Sequence, residues 1–590
     1  MDEERAALDW EDRVRGSLMA SAAGDALGWP IEPRGQRVGG TRELKPQARF
    51  IPWTRRDGGR WAPHEEDIPE GTYSDDTQLT IAVARSVRYD DWWWHFVSVE
   101  LPVWLLYDMG GGGAVRRAAQ SWRKGKPPWM GTDKEVSSYY SAGANGVAMR
   151  IAPHCFQAGP GGRFESVRAA VLRNGLATHG HPRALVGAQL FAYACSLALG
   201  RSRPLGFGEL VSGCISGVHE WALFEPHAVP PEWFPPDDSG YFEQWSRTVE
   251  ECLGLLDACR QGLSRGALAV DHAVLKELGV FSKQGGAGTI SAAASIFLAS
   301  RHASHPHSGL LSAAFARNAD ADTLAAMTGT LLGAVHGSSW LGDLSTEVQD
   351  ARYLSALAHE LALGRLGDLP SEEPWRASAA SEVFALLAEH QESGLALPAL
   401  GQLRIRSATR HKTKAAQRIQ SWWLDTEEGQ SIRIKRTVRL DESRAEQQEA
   451  PVGPPTMRPV IAGYIQQVTD LRRAVTFYRD LIGLELMRSN GTSASFGWLA
   501  LEEVEPGERL RLASDSNSGA VTVVLDPESF RDMAQRLKRE CVPILSSGER
   551  RGRRVMVCAD PDGNPIEFRQ RQRSSPAASA SGGNGGLTYR

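Results

Sequence analysis

Two acidic clusters lie far apart in this 590-residue sequence and offer the same chemistry. Ser74, Asp75 and Asp76 open one stretch of helical spacing; Asp320, Asp322 and Thr323 open another, LAAMTGTLLGAVHG. Magnesium takes oxygen ligands, usually a few carboxylates plus water, and hydroxyls can join them. Adjacent carboxylates at two helix starts could therefore supply ligands from both sides of a cleft, and a pair of ions there could activate a shared water and hold a sugar diol or phosphates. Asp and Ser are also favoured at helix starts for capping and for the helix dipole alone, and spacing does not show that the clusters meet. The segment QGGAGTI (Gln284–Ile290) has two readings of its own: a phosphate cradle ahead of a helix, or a helix entry capped by Thr289 or Ser291.

The elements that must position these groups are helical. From about Trp10 to His390 the chain is rich in Ala, Gly and Leu, with apolar residues at helical spacing in Thr77–Val87, Arg183–Leu199, Ile290–Ser300 and Leu324–Val335. Strand-like alternation is scarce, which predicts an all-α domain over residues 1–395. Between Gly401 and Leu440 there are ten Lys or Arg against three Asp or Glu, and LRIR and SIRIKRTVRL alternate as half-exposed strands do. This predicts a short, basic, β-rich connector over 400–440. Its charge and its Trp422–Trp423 pair are what single-stranded nucleic acid binding uses; a small solvated sheet whose tryptophans pack on the helical domain is the plainer reading. Residues 441–459 are polar and then Pro-rich, a linker composition. Residues 460–570 mix strand and helix signals, and 571–590 are too poor in apolar side chains to fold.

Composition bounds the rest. A chain this long predicts two or three domains. At 42% hydrophobic and 23% charged residues it reads as soluble and globular, and a net charge of -4 argues against nucleic acid as the partner of the whole chain. The seven cysteines, Cys155, Cys195, Cys214, Cys252, Cys259, Cys541 and Cys558, are scattered without a CxxC pair, so neither a disulfide framework nor a zinc knuckle is expected. The start, MDEERAALDW, lacks the basic and apolar blocks of a signal peptide, and no unbroken apolar run is long enough for a bilayer. A cytoplasmic protein without a membrane partner is the expectation.

Five segments in order, GSLMASAAGDALGWPIE (Gly16–Glu32), SDDTQ (Ser74–Gln78), GANGVAMRIAP (Gly143–Pro153), ATHGHPRA (Ala177–Ala184) and DADTLAAMTGTLLGAVHG (Asp320–Gly337), resemble the ADP-ribosylglycohydrolase family. That family includes dinitrogenase reductase-activating enzymes and hydrolases of ADP-ribosyl-arginine and ADP-ribosyl-serine. The resemblance implies a compact all-helical fold and two Mg2+ (sometimes Mn2+) in a cleft, held by Ser74, Asp75, Asp76, Asp320, Asp322 and Thr323. It implies catalysis by Glu32, Asp76 and Asp320, with Glu32 as gate or general base. Gly143, Asn145, Gly146, Val147 and His179 match substrate-binding positions, glycine suiting a backbone that must approach a ribose or diphosphate closely. His181 reads as structural. The implied reaction is hydrolysis at the anomeric carbon of an ADP-ribosylated substrate. Tyr139, Tyr140 and Phe156 are candidates for the adenine face. The acceptor stays open between arginine, serine, a nucleic acid base and a small-molecule conjugate. One departure is Asn318–Ala319, where the family commonly has two glycines; all the acidic ligands remain, so turnover is expected over mere ADP-ribose binding.

Farther on, VTDLRRAVTFYRDLIGLEL (Val468–Leu486) and VCADPDGNPIEF (Val557–Phe568) resemble the vicinal oxygen chelate superfamily of glyoxalases and bleomycin-resistance proteins. Two βαβββ modules fit the length. Metal-dependent members carry ligands near positions where this chain has Gly463 and Val521, and only Glu567 matches. The resemblance therefore implies a metal-free module that binds or sequesters a metabolite, or that pairs two chains. The chain as a whole is expected to be multidomain: all-α domain, β-rich connector, α+β repeat domain.

Overall fold

The computed structural model describes residues 2–439 apart from 34–36, 43, 59–62, 202–204, 231, 236–237, 365–371, 377–378, 391 and 413–416, and farther on 464–468, 470–481, 488–489, 493–495, 499–503, 521–525, 527–540, 542–550, 553–559 and 565–570. Two compact units result, Met1–Glu449 and Ala450–Arg590. The linker 441–459, the tail 571–590, Gly463 and most of the DPDGNP turn lie outside the described residues.

The Ala and Gly content of the first unit is explained by a seam between helix α1 (Asp2–Gly28) and the helix Ala321–His336. They run antiparallel in four-residue steps: Gly16 meets Gly337, Gly333 meets Gly16, Gly329 meets Ala20, Gly24 meets Ala325, and Gly28 meets Ala321. A Cβ on Gly24 would come within 2.3 Å of the Ala325 carbonyl oxygen, and one on Gly333 within 2.1 Å of that of Gly16. Any larger side chain would force the backbones apart. This seam sets the C-terminal end of α1, with Trp29–Glu32 just beyond it, beside Asp320–Asp322. A second seam, Gly187 against Gly288, joins the helix Pro182–Leu199 to the helix Gly288–Arg301 near their N-terminal ends. The Pro182–Leu199 helix is apolar enough for a membrane span, with mean hydropathy 1.2, yet 78% of it is buried here, as in a core helix. Helix α2 (Asp75–Ser86) is buried along its whole length.

Two β elements belong to this unit. Strands β1 (Trp53–Asp57) and β2 (His64–Ile68) form an antiparallel hairpin that helical spacing did not reveal. WTRRD and HEEDI are short and mostly charged, so neither gives an alternation long enough to read. The second is an antiparallel sheet whose strands Gly401–Lys412, Gln417–Thr426 and Ser431–Arg439 lie in chain order, as LRIR and SIRIKRTVRL implied. Leu403, Trp422, Leu424, Ile432 and Ile434 of this sheet join the same hydrophobic core as the helices. Arg85 of α2, buried, donates to Glu100 Oε1 and Oε2 at 2.7 and 2.8 Å and also to Gln430 at the head of the last strand. The basic segment is thus built into the first unit.

The second unit holds two four-stranded sheets of one topology. In each, the first strand pairs parallel with the last, Tyr464–Val468 with Leu499–Glu503 and Val521–Leu525 with Pro565–Gln570. A helix follows the first strand of each, giving the expected βαβββ repeat. Leu471, Phe477, Tyr478, Leu537, Ile566 and Phe568 share its core. Val521 and Glu567 lie on adjacent parallel strands.

Candidate active site

The first acidic motif is held by a residue that sequence spacing did not single out. Asp25, near the end of α1 and fully buried, accepts from the backbone N–H of Ser74 at 2.9 Å and from the N–H and Oγ1 of Thr77 at 3.0 and 2.6 Å. Ser74 caps α2, its Oγ accepting from the Asp76 N–H at 3.3 Å. These bonds satisfy first-turn donors that a helix start leaves free, and they fix where Asp75 and Asp76 point. Asp320 stands at the N-cap position of the Ala321–His336 helix, with Asp322 in its first turn. Asn318 just before it has φ of 67°. Among non-glycine residues asparagine tolerates this left-handed region best, so Asn318 adopts it at little cost.

These motifs meet in a cleft of about 540 Å³. Glu32, Asp75, Asp76, Asp320, Asp322 and Thr323 line it, as do Gly143, Asn145, Gly146 and His179. Ser74 is buried behind the wall, sharing its hydroxyl with Asp76, and Val147 packs inside, its branch 3.2 Å from where a Gly175 Cβ would stand; neither is among the lining residues. Asn145 reaches the second acidic motif, donating to Asp320 Oδ2 at 2.9 Å and to Ser291 Oγ at 3.0 Å. The glycine loop is tied to the Gln284–Ala287 segment by Asn145 N–H donating to the Gly286 carbonyl at 2.9 Å and Gly288 N–H donating to that of Gly143 at 3.1 Å. Gln284, Gly286 and Ala287 accordingly line the cleft.

Burial pushes the Asp75, Asp76 and Asp322 carboxyls well above the usual range. Neighbouring carboxylates push them further: Asp108, Asp25 and Glu32 act on Asp75, Asp25, Asp75 and Asp320 on Asp76, and Glu32, Asp76 and Asp320 on Asp322. Arg116 opposes this at Asp75, and a Thr323 hydrogen bond opposes it at Asp76. Such crowding of dehydrated acids is unfavourable without cations. Asp76 Oδ1 is buried with no hydrogen-bond partner, and Glu32, Asp320 and Asp322 each offer an oxygen within 4.8 Å of the others. An orphaned carboxylate oxygen beside convergent oxygen donors fits a hard divalent cation.

His179 is buried, its Nδ1 2.7 Å from Thr178 Oγ1, and burial followed by the charges of Arg150 and Arg117 lowers its pKa to about 3. It is a neutral ring, and its Cε1 lies 3.2 Å from where a Cβ on Gly146 would stand, a close approach that glycine leaves uncrowded. Buried Arg150 donates to the Gly146 carbonyl at 2.6 Å, Asn174 Oδ1 at 3.0 Å and Thr178 Oγ1 at 2.9 Å, clamping the glycine loop to the histidine turn. His181 caps the Pro182–Leu199 helix, accepting from Arg183 N–H at 3.1 Å, and also faces the cleft.

The adenine candidates are corrected. Tyr139, Tyr140 and Phe156 do not line the cleft: Tyr139 donates to the Leu176 carbonyl at 2.8 Å, Tyr140 to that of Phe234, and Phe156 is in the core. Among the described residues, Trp29 is the Trp, Tyr or Phe side chain that lines the cleft. The stretch Gly110–Ala114, which runs into the start of the helix Gly113–Arg123, also lines it, and its run of four glycines was the readable signal. Asp108 Oδ1 accepts from Gly110 and Gly111 N–H at 3.1 and 2.6 Å and so shapes that loop. Arg55, Arg183 and Lys283 line the cleft too.

Comparison with known proteins matches both units. The family model for ADP-ribosylglycohydrolase matches residues 6–370, and that for the glyoxalase/bleomycin resistance protein/dioxygenase superfamily matches 460–568. A solved structure described as an ADP-ribosylglycohydrolase-related protein complex is 20% identical, covering 61% of this chain and 99% of that one, with a TM-score of 0.37. A glyoxalase/bleomycin resistance protein/dioxygenase from Alicyclobacillus acidocaldarius is 18% identical, covering 18% of this chain and 87% of that one, with a TM-score of 0.16. The metallothiol transferase FosB of Staphylococcus haemolyticus is 29% identical over 107 residues, which is 17% of this chain and 76% of the relative.

Proposed function

Because this chain belongs to the ADP-ribosylglycohydrolase family of glycosidic hydrolases, we propose that it releases ADP-ribose from a modified acceptor by Mg2+-dependent hydrolysis at the anomeric carbon. The observation that carries this reading is the convergence of buried carboxylates from two helix starts in one cleft, one of them with an orphaned oxygen. Asp75, Asp76, Asp320, Asp322 and Thr323 would hold two Mg2+, Mn2+ being an alternative occupant. When bound, these ions polarise water and ribose hydroxyls as Lewis acids.

The protein's own groups do the rest. The Gly143–Gly146 and Gly110–Gly113 backbones admit the ADP-ribose closely. Neutral His179 orients a polar group beside Gly146 without adding charge. Glu32 stands where the chain leaves α1, its N–H donating to the Gly28 carbonyl at 3.1 Å, and its carboxylate takes the proton of the attacking water. The fixed carboxylates favour the positive charge that develops at the anomeric carbon. Positioning of this kind can supply roughly 7–11 kcal/mol of a barrier. The presence of Asp75, Asp76, Asp320 and Asp322 together in the cleft supports turnover over simple binding. The C-terminal unit serves as a metabolite-binding or chain-pairing module.

The test is incubation of the chain with ADP-ribosyl-arginine, ADP-ribosyl-serine and ADP-ribosylated nucleic acid, with Mg2+ or with EDTA. Free ADP-ribose should appear from at least one substrate in Mg2+ only. Release from none, or release indifferent to EDTA, overturns the proposal.

A further inference from the structure

The match to the family ends at residue 370, yet the sheet beyond it is wired to the cleft. Arg433 and Lys435 project from its last strand onto the β1–β2 hairpin. Arg433 Nη1 lies 3.3 Å from Glu66 Oε2, and Lys435 Nζ lies 3.0 Å from Glu66 Oε1 and also bonds Asp57. Glu66 is fully buried, and His64 Nε2 lies 2.9 Å from its Oε1. Burial alone would raise the Glu66 pKa, but the His64 hydrogen bond and the two cations outweigh it and hold it at about 2. Asp57, His64 and Glu66 have the spacing of a metal site, but Lys435 and Arg433 already neutralise them. From the middle strand Trp423 packs on Trp29, Trp53, Ile68 and Met109, with Arg406 and Arg433 at 5.3 and 5.7 Å from its ring.

What this clamp fixes is Arg55. It lies opposite Glu66 in the hairpin register and lines the cleft, with its guanidinium 5.3 Å from the Trp29 ring. It is 8% exposed, and its Nε has no hydrogen-bond partner. Its carboxylate neighbour, Asp57, is 4.0 Å away and already bonded to Lys435. A guanidinium nine-tenths buried with an idle donor is costly, and a planar fork of donors suits a phosphate or carboxylate. We propose that Arg55 binds an anionic group of the substrate at the cleft, and that the sheet Gly401–Arg439 is the element that holds it there through Arg433, Lys435 and Trp423. The proposal rests on the hydrolase reading above. Two sources share the required chemistry: the diphosphate of ADP-ribose and an anionic acceptor.

The test uses the full chain in Mg2+, measuring ADP-ribose binding by calorimetry and steady-state kinetics on the hydrolysed conjugate. Loss of a charge-assisted hydrogen bond in Arg55→Gln should weaken one of them roughly tenfold to hundredfold, with Arg55→Lys recovering part. A weaker Kd for ADP-ribose assigns Arg55 to the diphosphate; an unchanged Kd with a raised KM for the conjugate assigns it to the acceptor. Arg433→Gln, a change at a positioning residue, should raise the same constant with kcat retained and should add little on top of Arg55→Gln. If Arg55→Gln leaves both constants at wild-type values while wild type hydrolyses the conjugate, the Arg55 proposal alone is overturned. Absence of hydrolysis by wild type itself overturns the hydrolase reading and this proposal with it.

Discussion

Asp25→Ala offers a direct test of how the first acidic motif is held. The carboxylate accepts three hydrogen bonds, two of them from backbone N–H groups of Ser74 and Thr77 at the start of α2. Ser74 and Thr77 are themselves buried, so water cannot replace the lost acceptor. Each orphaned N–H costs about 1–3 kcal/mol, or roughly 2–6 kcal/mol for the pair. Removing a dehydrated acid, whose pKa burial raises against these same hydrogen bonds, returns part of that. A net loss of about 3 kcal/mol is expected, which lowers the urea midpoint of the helical unit by about 1 M at a slope near 3 kcal/mol per M. The helix start also loses its register, and a misplacement of about 1 Å in catalytic groups can cost roughly 100-fold in rate. Asp25→Asn keeps one acceptor oxygen and should fall between the two. Urea unfolding followed by circular dichroism, with ADP-ribose release on the same samples, reads both effects. An Asp25→Ala protein with the wild-type midpoint and full kcat would refute the argument.

Asp76→Ala and Asp322→Ala should each abolish hydrolysis while helical content persists; a fully active Asp322→Ala protein would sink the two-metal reading. Acid should draw stability from the helical unit through two histidines, because His154 and His179 are held neutral, with pKa values lowered to about 3 by burial. Unfolded histidine titrates near 6.5, so this stability is complete above that pH and is lost as pH falls toward 3, by about 1.4 kcal/mol per pH unit per histidine. Replacing His154 with Gln should shrink the difference between urea midpoints at pH 7.5 and 5 by the equivalent of roughly 2 kcal/mol, the share of one histidine between pH 6.5 and 5; an unchanged difference excludes it. A chain ended after Glu449 should stay soluble and active and bind as many Mg2+ by calorimetry as the full chain, whereas one ended before Leu395 should aggregate, since it bares the core that Trp422, Leu424, Ile432 and Ile434 cover. A soluble, active short chain, or a metal site lost with the C-terminal unit, contradicts this.

Sequence reading reached those parts of the fold where a single period governs many residues. The four helices named in advance are present at nearly the expected bounds, because apolar spacing persists for three or more turns in each. The repeated βαβββ modules were legible from motif order. The hairpin was not, since five-residue strands made mostly of charged residues carry no long signal. Nor did the basic segment announce that it would join the helical core: its charge dominates composition, while the few apolar residues that bind it to the helices are spread over two strands.

At the site the same contrast separates ligands from their supports. Carboxylates in DD and DAD clusters are conspicuous because few other chemistries require them, and five of the six proposed metal-binding residues do line one cleft. The sixth, Ser74, acts on Asp76 from behind as the helix cap, a role its type serves equally well. Asp25, Arg150 and Arg433 act through other residues across gaps of 49, 28 and 367 positions. No local pattern encodes such a partnership; it exists only once the glycine seams have set the helices and the sheet has closed on the hairpin. Yet these supports answer the central electrostatic difficulty of the site. Bringing many acids into one dry cleft is unfavourable by itself. The fold tolerates it by tying Asp25 to backbone donors, tying Asp320 to Asn145 and assigning Glu66 and Asp57 to the sheet's cations. Among the described residues that line the cleft, that leaves Asp76 Oδ1 and Arg55 Nε buried without a hydrogen-bond partner. One is suited to a divalent ion and the other to an anionic group, so the two unmet requirements of the cleft are complementary to the two kinds of charge that an ADP-ribose conjugate and its metal would bring.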